Sequence, residues 1–466
     1  VIEPLSLREK LSYGVADIGA SLSYNAVNVF FLFFLVEVLG LAAALAGLVL
    51  LVGRVLDAVT DPLMGLLSDR TRSRWGRRKP YIWAGAVPFG LSFALLWTLP
   101  ESSQPVMFAL AAAFLTLHAV IYTVVQVPYM ALTPELAPEY AARTELTSYR
   151  IGFGTVASLV AVAVPPVLVA ALNSFLGQPE GARAGWPLMG AVFGMIMSLS
   201  YLVMAWGVRE RGRPPAVGPL RPLDEYRSAL RVHGYGQVLV LFVVVTLGLG
   251  IISSMLPFFL ASALLLGPSE RSLLLGLFFL VAVLTLPFWT RLGARLDKRL
   301  AFALGLALLA AVVPVLVLFA PPGELALFTL VMTAVAGVGV GALLLFPWAM
   351  VPDVVEFDEL QSGRRREGLF YAIFTFGQKT AFAVGAFLNA QVLALLGYRS
   401  TAMEAAMEMG AVSQSAEAVL GIKLMVGPVA AGVFAVAALL ALRVPITRAT
   451  HDAVRARLAE RGAGAR

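Results

Sequence analysis

Apolar runs of about 20 residues recur along the whole chain, and that is the length a helix needs to cross the hydrocarbon of a bilayer. Cut at charged or Pro/Gly-rich breaks, the windows fall at 11–36, 42–67, 81–99, 106–132, 148–172, 187–208, 237–266, 272–291, 301–320, 325–351, 369–397 and 419–443. A soluble core has no room for twelve of them. Hydrophobic residues make up 59% of the chain and charged ones 14%, against roughly 45–50% and 25% in ordinary globular proteins. In lipid each backbone N–H and C=O must be bonded within the chain, which segments of this length achieve as helices. The expected fold is an all-α integral membrane protein with twelve transmembrane helices.

The polar residues narrow the chemistry. Zero Cys excludes disulfides, Fe–S clusters and Cys zinc sites, and the three His (His118, His233, His451) are too far apart for a metalloenzyme spacing. Neither a nucleophile with its base nor a Walker A run is present, so an enzyme and an ATP-driven pump are disfavoured and no cofactor is expected. The net charge of +7 reads as loop charge on a membrane protein, with no nucleic acid as partner. Placing the N-terminus inside puts 28 of the 35 Lys and Arg on one side, so the positive-inside rule predicts both termini in the cytoplasm of a cell inner membrane.

The stretch 209–236, with its RGRPPAVGPLRP run, separates an N-terminal six-helix bundle (1–208) from a C-terminal one with a cytoplasmic tail (237–466). The halves echo each other. Asp69–Arg70 after the second span is answered by Asp297–Lys298–Arg299 after the eighth, and Val127–Pro128–Tyr129 with Pro134–Glu135 by Phe346–Pro347–Trp348 with Pro352–Asp353. Two echoes at similar offset predict parallel structural repeats of the kind transporters use.

The second span carries Arg54, Asp57, Asp61 and Pro62. Residues four apart lie about 40° apart round a helix and residues three apart about 60°, so the three charges share one face. Each costs about 2.5–3.5 kcal/mol at membrane depth. Two adjacent carboxylates also repel, and a small cation between them removes that conflict. The alternative is that Arg54 neutralises one carboxylate while the other lies near the cytoplasmic interface. Lys379, deep in the eleventh span, is too far from either end to snorkel easily and is expected to face the span-2 pair, as coupling partner or as structural salt bridge.

Asp17, Ser21, Tyr24, Asn25 and Asn28 make one polar stripe on the first span, which reads as a cavity lining. Gln126, Tyr129, Arg150, Trp348, Tyr371 and Thr375 add hydrogen-bonding groups and aromatic faces. That mixture suits sugars and also lipid headgroups, and Tyr and Trp near span ends also serve as interface anchors.

Taken together, Lys10–Leu–Ser–Tyr–Gly14, the span-2 DAVTDP with Arg54, TRSRWGRRKP, VPYMALTPEL, Arg150 after SY, and Lys379 resemble the glycoside–pentoside–hexuronide:cation symporter family of the major facilitator superfamily, which contains the melibiose carriers. The resemblance covers both halves. It implies the major facilitator fold, alternating access, a coupling Na⁺, Li⁺ or H⁺ at Asp57 and Asp61 with Lys379 beside them, and substrate at Arg150. It also implies a cytoplasmic latch at Asp69 with Arg70 and, by the echo, Asp297 with Arg299.

Melibiose carriers have an acid where Ser21 stands, an acid where Gln126 stands and a Trp where Met130 stands, so the cation half is better preserved than the sugar half. Another glycoside, a pentoside or a uronate is then the expected cargo. VPYMALTP and RTELTSYR also resemble the animal sodium-dependent lysophosphatidylcholine symporters, which keeps an amphipathic lipid as the main alternative. A lipid scramblase, a passive channel and a signalling receptor are further alternatives. Besides substrate, coupling cation and bilayer, no obligate protein partner is expected, and the chain reads as a monomer.

Overall fold

The computed structural model describes residues 5–137, 139–179, 181–210, 228, 232, 234–362, 367–400, 414–447 and, in the tail, 450, 453, 454, 457 and 460. The linker residues 211–227, 229–231 and 233 lie outside these, as do the side chains of Arg54 to Val59.

Among the described residues twelve helical rods follow one another. They are α1 (7–38), α2 (Ala43–Arg70), α3 (Lys79–Leu96), α4 (Gln104–Leu136), α5 (Tyr140–Ala163 continued by Pro165–Phe175) and α6 (Gly185–Gly207). In the second half come α7 (Tyr235–Ala263), α8 (Pro268–Arg295), α9 (Lys298–Phe319), α10 (Leu327–Ser362), α11 (Glu367–Leu395) and α12 (Ala416–Arg443). Among the described residues eight helical segments are long and apolar enough to cross a membrane.

Local chemistry sets several ends. Ser6 caps α1 and exchanges hydrogen bonds with Glu9 in a capping box. Two π-turns, Val27–Phe31 and Phe34–Val38, interrupt α1 where its phenylalanines meet Trp97 and Trp186. The break in α5 falls at Pro165 and Pro166, where ring nitrogens have no N–H to give.

Two boundaries differ from expectation. Helix α5 begins eight residues earlier than the hydrophobic window and α10 ends eleven later. Both extensions are polar and held by ion pairs, Lys10 with Glu145 at 2.7 Å on α5 and Lys298 with Asp353 at 2.7 Å on α10. A hydropathy window sees the apolar part of a helix only.

Contacts divide the chain into two compact units, the first being Val1–Val217 with Gly267–Gly276 and Ala386–Ala418, the second Gly218–Leu266 with Leu277–Gly385 and Val419–Arg466. Within the first, α3 packs on α4 and α6, and α1 on α5 and α6. The α3–α6 crossing is a glycine contact. A Cβ on Gly90 would stand 2.0 Å from the Gly194 carbonyl oxygen. Within the second, α9 packs on α10 and α12, and α7 on α12, with Gly305 against Ala342. The third helix of each half thus meets the fourth and sixth of its own half, the pattern a parallel repeat requires.

Candidate functional site

Helix α2 presents Arg54, Asp57 and Asp61 at the spacing of one face. The Arg54 and Asp57 side chains lie outside the described residues. Asp61 is half-buried and accepts a hydrogen bond of 2.7 Å from the Thr123 hydroxyl on α4. Thr123 is itself buried. Sequence reading missed it because a single Thr in an apolar helix is unremarkable, although it lies one turn before Gln126 on the same face.

The stripe on α1 divides. Asp17, Ser21 and Asn25 turn toward α5, where a Cβ on Gly154 would stand 2.2 Å from Asp17 Oδ2 and 3.0 Å from Ser21 Oγ. Only glycine lets that carboxylate approach. Asn25 Nδ2 donates to Ser158 Oγ at 3.0 Å and to the Ser21 carbonyl at 2.9 Å. Arg150, one turn before Gly154, supplies the positive charge that acts on Asp17, which also accepts from Ser21. The Arg150 Nη1 lies 3.0 Å from Met130 Sδ. Tyr24 goes the other way, lining a cavity of about 50 Å³ with Ser23, Leu50, Gly53, His118 and Tyr122. That is room for a few waters.

Gln126 and Tyr129 sit in a dense aromatic cluster. Tyr201 donates to Gln126 Oε1, and the fully buried Tyr129 donates to the Tyr13 carbonyl at 3.0 Å, its ring 4.8 Å from that of Tyr13. Beside them Ser92 donates to the Phe89 carbonyl at 2.9 Å. Ser92 Oγ also lies 3.0 Å from His118 Nδ1, and Ser23 Oγ lies 2.8 Å from His118 Nε2, so the ring is hydrogen-bonded on both nitrogens. His118 is buried and stacks on Phe89.

The second unit holds its own group. Trp348 on α10 and Tyr371 on α11 are nearly parallel at 11°, centroids 6.4 Å apart, with Phe242 edge-on to Trp348 at 5.5 Å. Tyr371 is exposed, Thr375 half-buried, and Lys379 only 7% exposed.

The charged loops are held by ion pairs to residues further along the chain. Asp69 takes Arg78 Nη2 at 2.9 Å and Arg77 Nη1 at 3.7 Å, while Arg70 is exposed. Arg77 and Arg78 are buried and both also bind Glu135 at the end of α4, Arg78 at 2.9 Å. Burial draws the Arg78 guanidinium below its ordinary pKa, with Glu135 and Asp69 opposing. Glu210, just beyond α6, accepts the backbone N–H groups of Arg77, Arg78 and Lys79 at 3.0, 3.2 and 3.4 Å. No motif had pointed to it. In the second unit Lys298 bonds both oxygens of Asp353 at 2.8 and 2.7 Å. Asp297 caps α9 through the Arg299 N–H at 3.2 Å, with Arg299 Nε 3.5 Å away. Each half thus ties a base following its second helix to an acid in the C-terminal part of its fourth, Arg77 and Arg78 to Glu135 and Lys298 to Asp353.

Twelve helices in two echoing halves, with charged and polar side chains buried among them, define a multi-pass membrane carrier of the major facilitator fold, a transporter and not an enzyme. The chain belongs to the family described as MFS/sugar transport protein, which matches residues 12–448. It is 30% identical to an uncharacterized symporter of Synechocystis sp., over 98% of each chain. It is 26% identical to the isoprimeverose transporter of Lactiplantibacillus pentosus, covering 87% of this chain and 84% of that one. With sodium-dependent lysophosphatidylcholine symporter 1 of Gallus gallus it shares 27% identity over 95% of this chain and 87% of the other. Its fold matches a bacterial homolog of the human lysosomal transporter Spinster, solved inward-facing and unoccupied, with TM-score 0.69 at 15% identity, covering 95% and 98% of the two chains.

Proposed function

We propose that this symporter carries a small glycoside, pentoside or uronate into the cell with Na⁺ or H⁺, and that Asp57 and Asp61, with Lys379, form the cation site. The observation that carries the reading is Asp61 held by buried Thr123 on the face it shares with Asp57. A half-buried carboxylate kept at membrane depth is costly unless it works. Cation binding relieves the repulsion of the pair, and an arrangement that also accepts substrate then makes each ligand tighten the other by the same factor. Arg150, Asp17, Ser21, Asn25, Tyr24, Gln126 and Tyr129 serve substrate from the first unit, and Trp348, Tyr371 and Thr375 from the second, where the near-parallel rings suit a sugar face. Asp69, Arg70, Asp297 and Arg299 belong to the latch on the cytoplasmic side, where the basic loops and both termini lie. The protein works as a monomer.

A second reading, an amphipathic lipid as cargo, is favoured by the lysophosphatidylcholine symporter relative. The test uses proteoliposomes and radiolabelled isoprimeverose, xylose, glucuronate and lysophosphatidylcholine in turn, under imposed Na⁺ or H⁺ gradients. One of the first three should accumulate. Asp57→Asn should abolish accumulation and spare counterflow; a variant that still concentrates substrate puts the cation elsewhere.

A further inference from the structure

The loop from Thr71 to Gly76 and the turn after it carry five Arg and Lys within residues 72–79, and the fold sorts them into two groups. Arg77 and Arg78 are buried against Asp69 and Glu135. Arg72 and Arg74 are exposed, as is Arg70 at the end of α2, and among the described residues none of these three has a carboxylate partner. The nearby acids are already engaged by Arg77, Arg78 and the start of α3.

The exposed group is accompanied by aromatic surface. Trp75 is 57% exposed, with the Arg74 guanidinium 4.9 Å from its ring centroid. Trp83, one turn into α3, meets Trp206 near the end of α6 edge-on at 5.4 Å, and Trp206 is 72% exposed. Indoles on a membrane protein collect at the headgroup level, where one side of the ring is apolar and the N–H is wet.

The loop is also held in shape from beneath. Gly76 has φ +100°, and a Cβ there would stand 2.1 Å from Glu210 Oε2. The Glu210 carboxylate fills that space while it accepts the N–H groups of Arg77 and Arg78, just before α3. A loop fixed in this way presents its guanidiniums with little further ordering to lose on binding.

We propose that the exposed arginines of this loop, Arg72 and Arg74 with Arg70, dock the phosphodiester headgroups of anionic phospholipids, with Trp75 seated at the interface beside them. The proposal concerns the folded protein and is separate from the use of the same charges in setting topology. It takes the loop's orientation from the proposed function and does not depend on the cargo. A lipid fits better than a free phosphate because the charges lie beside exposed indoles. Headgroup binding would brace the ends of α2, α3 and α4, since Arg77 and Arg78 in the same segment tie Asp69 to Glu135.

The experiment measures phosphatidylglycerol and phosphatidylcholine binding to the purified full chain in detergent by native mass spectrometry, with the thermal midpoint as a second readout. The wild type should prefer phosphatidylglycerol. Each guanidinium near an anionic surface is worth roughly a fivefold factor in partitioning, so R72Q/R74Q should lower that preference roughly 25-fold. Each single variant should lose roughly a fivefold share, and R183Q, at an exposed pair with Glu101 elsewhere, should lose none. Raising salt should erase the preference in the wild type, a readout that needs no variant. A wild type without preference, a preference untouched by salt, or an R72Q/R74Q protein that keeps it would overturn the proposal. So would inorganic phosphate at millimolar concentration reproducing the stabilisation, which would make this a free-anion site.

Discussion

Glu135→Gln removes the acid that both buried guanidiniums share. In the wild type Arg77 and Arg78, with side chains 9% and 7% exposed, face Asp69, Glu135 and Glu210. Glu210 is occupied with backbone N–H groups, its nearest approach to Arg77 Nε being 4.0 Å. Asp69, 37% exposed, is then left as the main counter-charge for two cations. Breaking a buried pair by removing one partner costs about 3–5 kcal/mol. The Gln amide keeps one acceptor in place, so the expected loss is toward the lower end, about 2–4 kcal/mol. Glu145→Gln is the matched control. Its pair with Lys10 is as short, 2.7 Å, but Glu145 is 48% exposed, and exposed pairs contribute about 0–1 kcal/mol. The assay is thermal unfolding of the purified protein in one detergent and at one scan rate, followed by intrinsic tryptophan fluorescence. Glu135→Gln should lower the midpoint by several degrees while Glu145→Gln leaves it within error. Equal shifts in the two variants would refute the argument that burial sets the worth of these pairs.

Gly90→Ala should prevent α3 and α6 from closing, because the new methyl would meet backbone at 2.0 Å; size-exclusion chromatography should show loss of monodisperse protein, whereas Gly152→Ala, with nothing within 4 Å, should behave as wild type. Gly154→Ala should displace the Asp17 carboxylate and reduce uptake with the fold retained, and combining it with Asp17→Ala should add nothing further, a non-additivity read in a double-mutant cycle of uptake rates. Thr123→Val, which deletes the donor to Asp61, should change the cation dependence of counterflow roughly tenfold or more, while Thr123→Ser keeps the wild-type response. Lys298→Ala should destabilise the second unit by about 1 kcal/mol, because Lys298 is 41% exposed although Asp353 is only 9% so, seen as a slightly lowered unfolding midpoint.

Much of this protein is written in the order of its residues. Lipid imposes a length rule on every apolar segment, so twelve windows read from hydropathy recur as twelve helices. Charge at membrane depth is expensive, so Asp57, Asp61 and Lys379 stand out from the sequence without any coordinates. Duplication of a supersecondary pattern survives as echoes, and the Glu135 and Asp353 echo marks two acids that each take a base following the second helix of their own half. All of these are properties of a single helix or of its local spacing.

Partner choice is a different matter, because it is made between helices distant in sequence. The spacing of Asp17, Ser21 and Asn25 shows that they share a face, but a glycine on another helix, Gly154, decides that the face turns to α5. The sequence places Asp69 and Arg70 in one charged loop, but it takes the turn at Gly76 to bring Arg77 and Arg78 back onto Asp69. Thr123 and Glu210 carry no signal of their own, one being a lone hydroxyl in an apolar helix and the other an ordinary acid after a helix end. They gain their roles from what lies opposite, a carboxylate across the α2–α4 contact and three unpaired N–H groups at the start of α3. Hydropathy and spacing report the solvent each helix face requires, whereas close packing of the helices alone selects which groups meet.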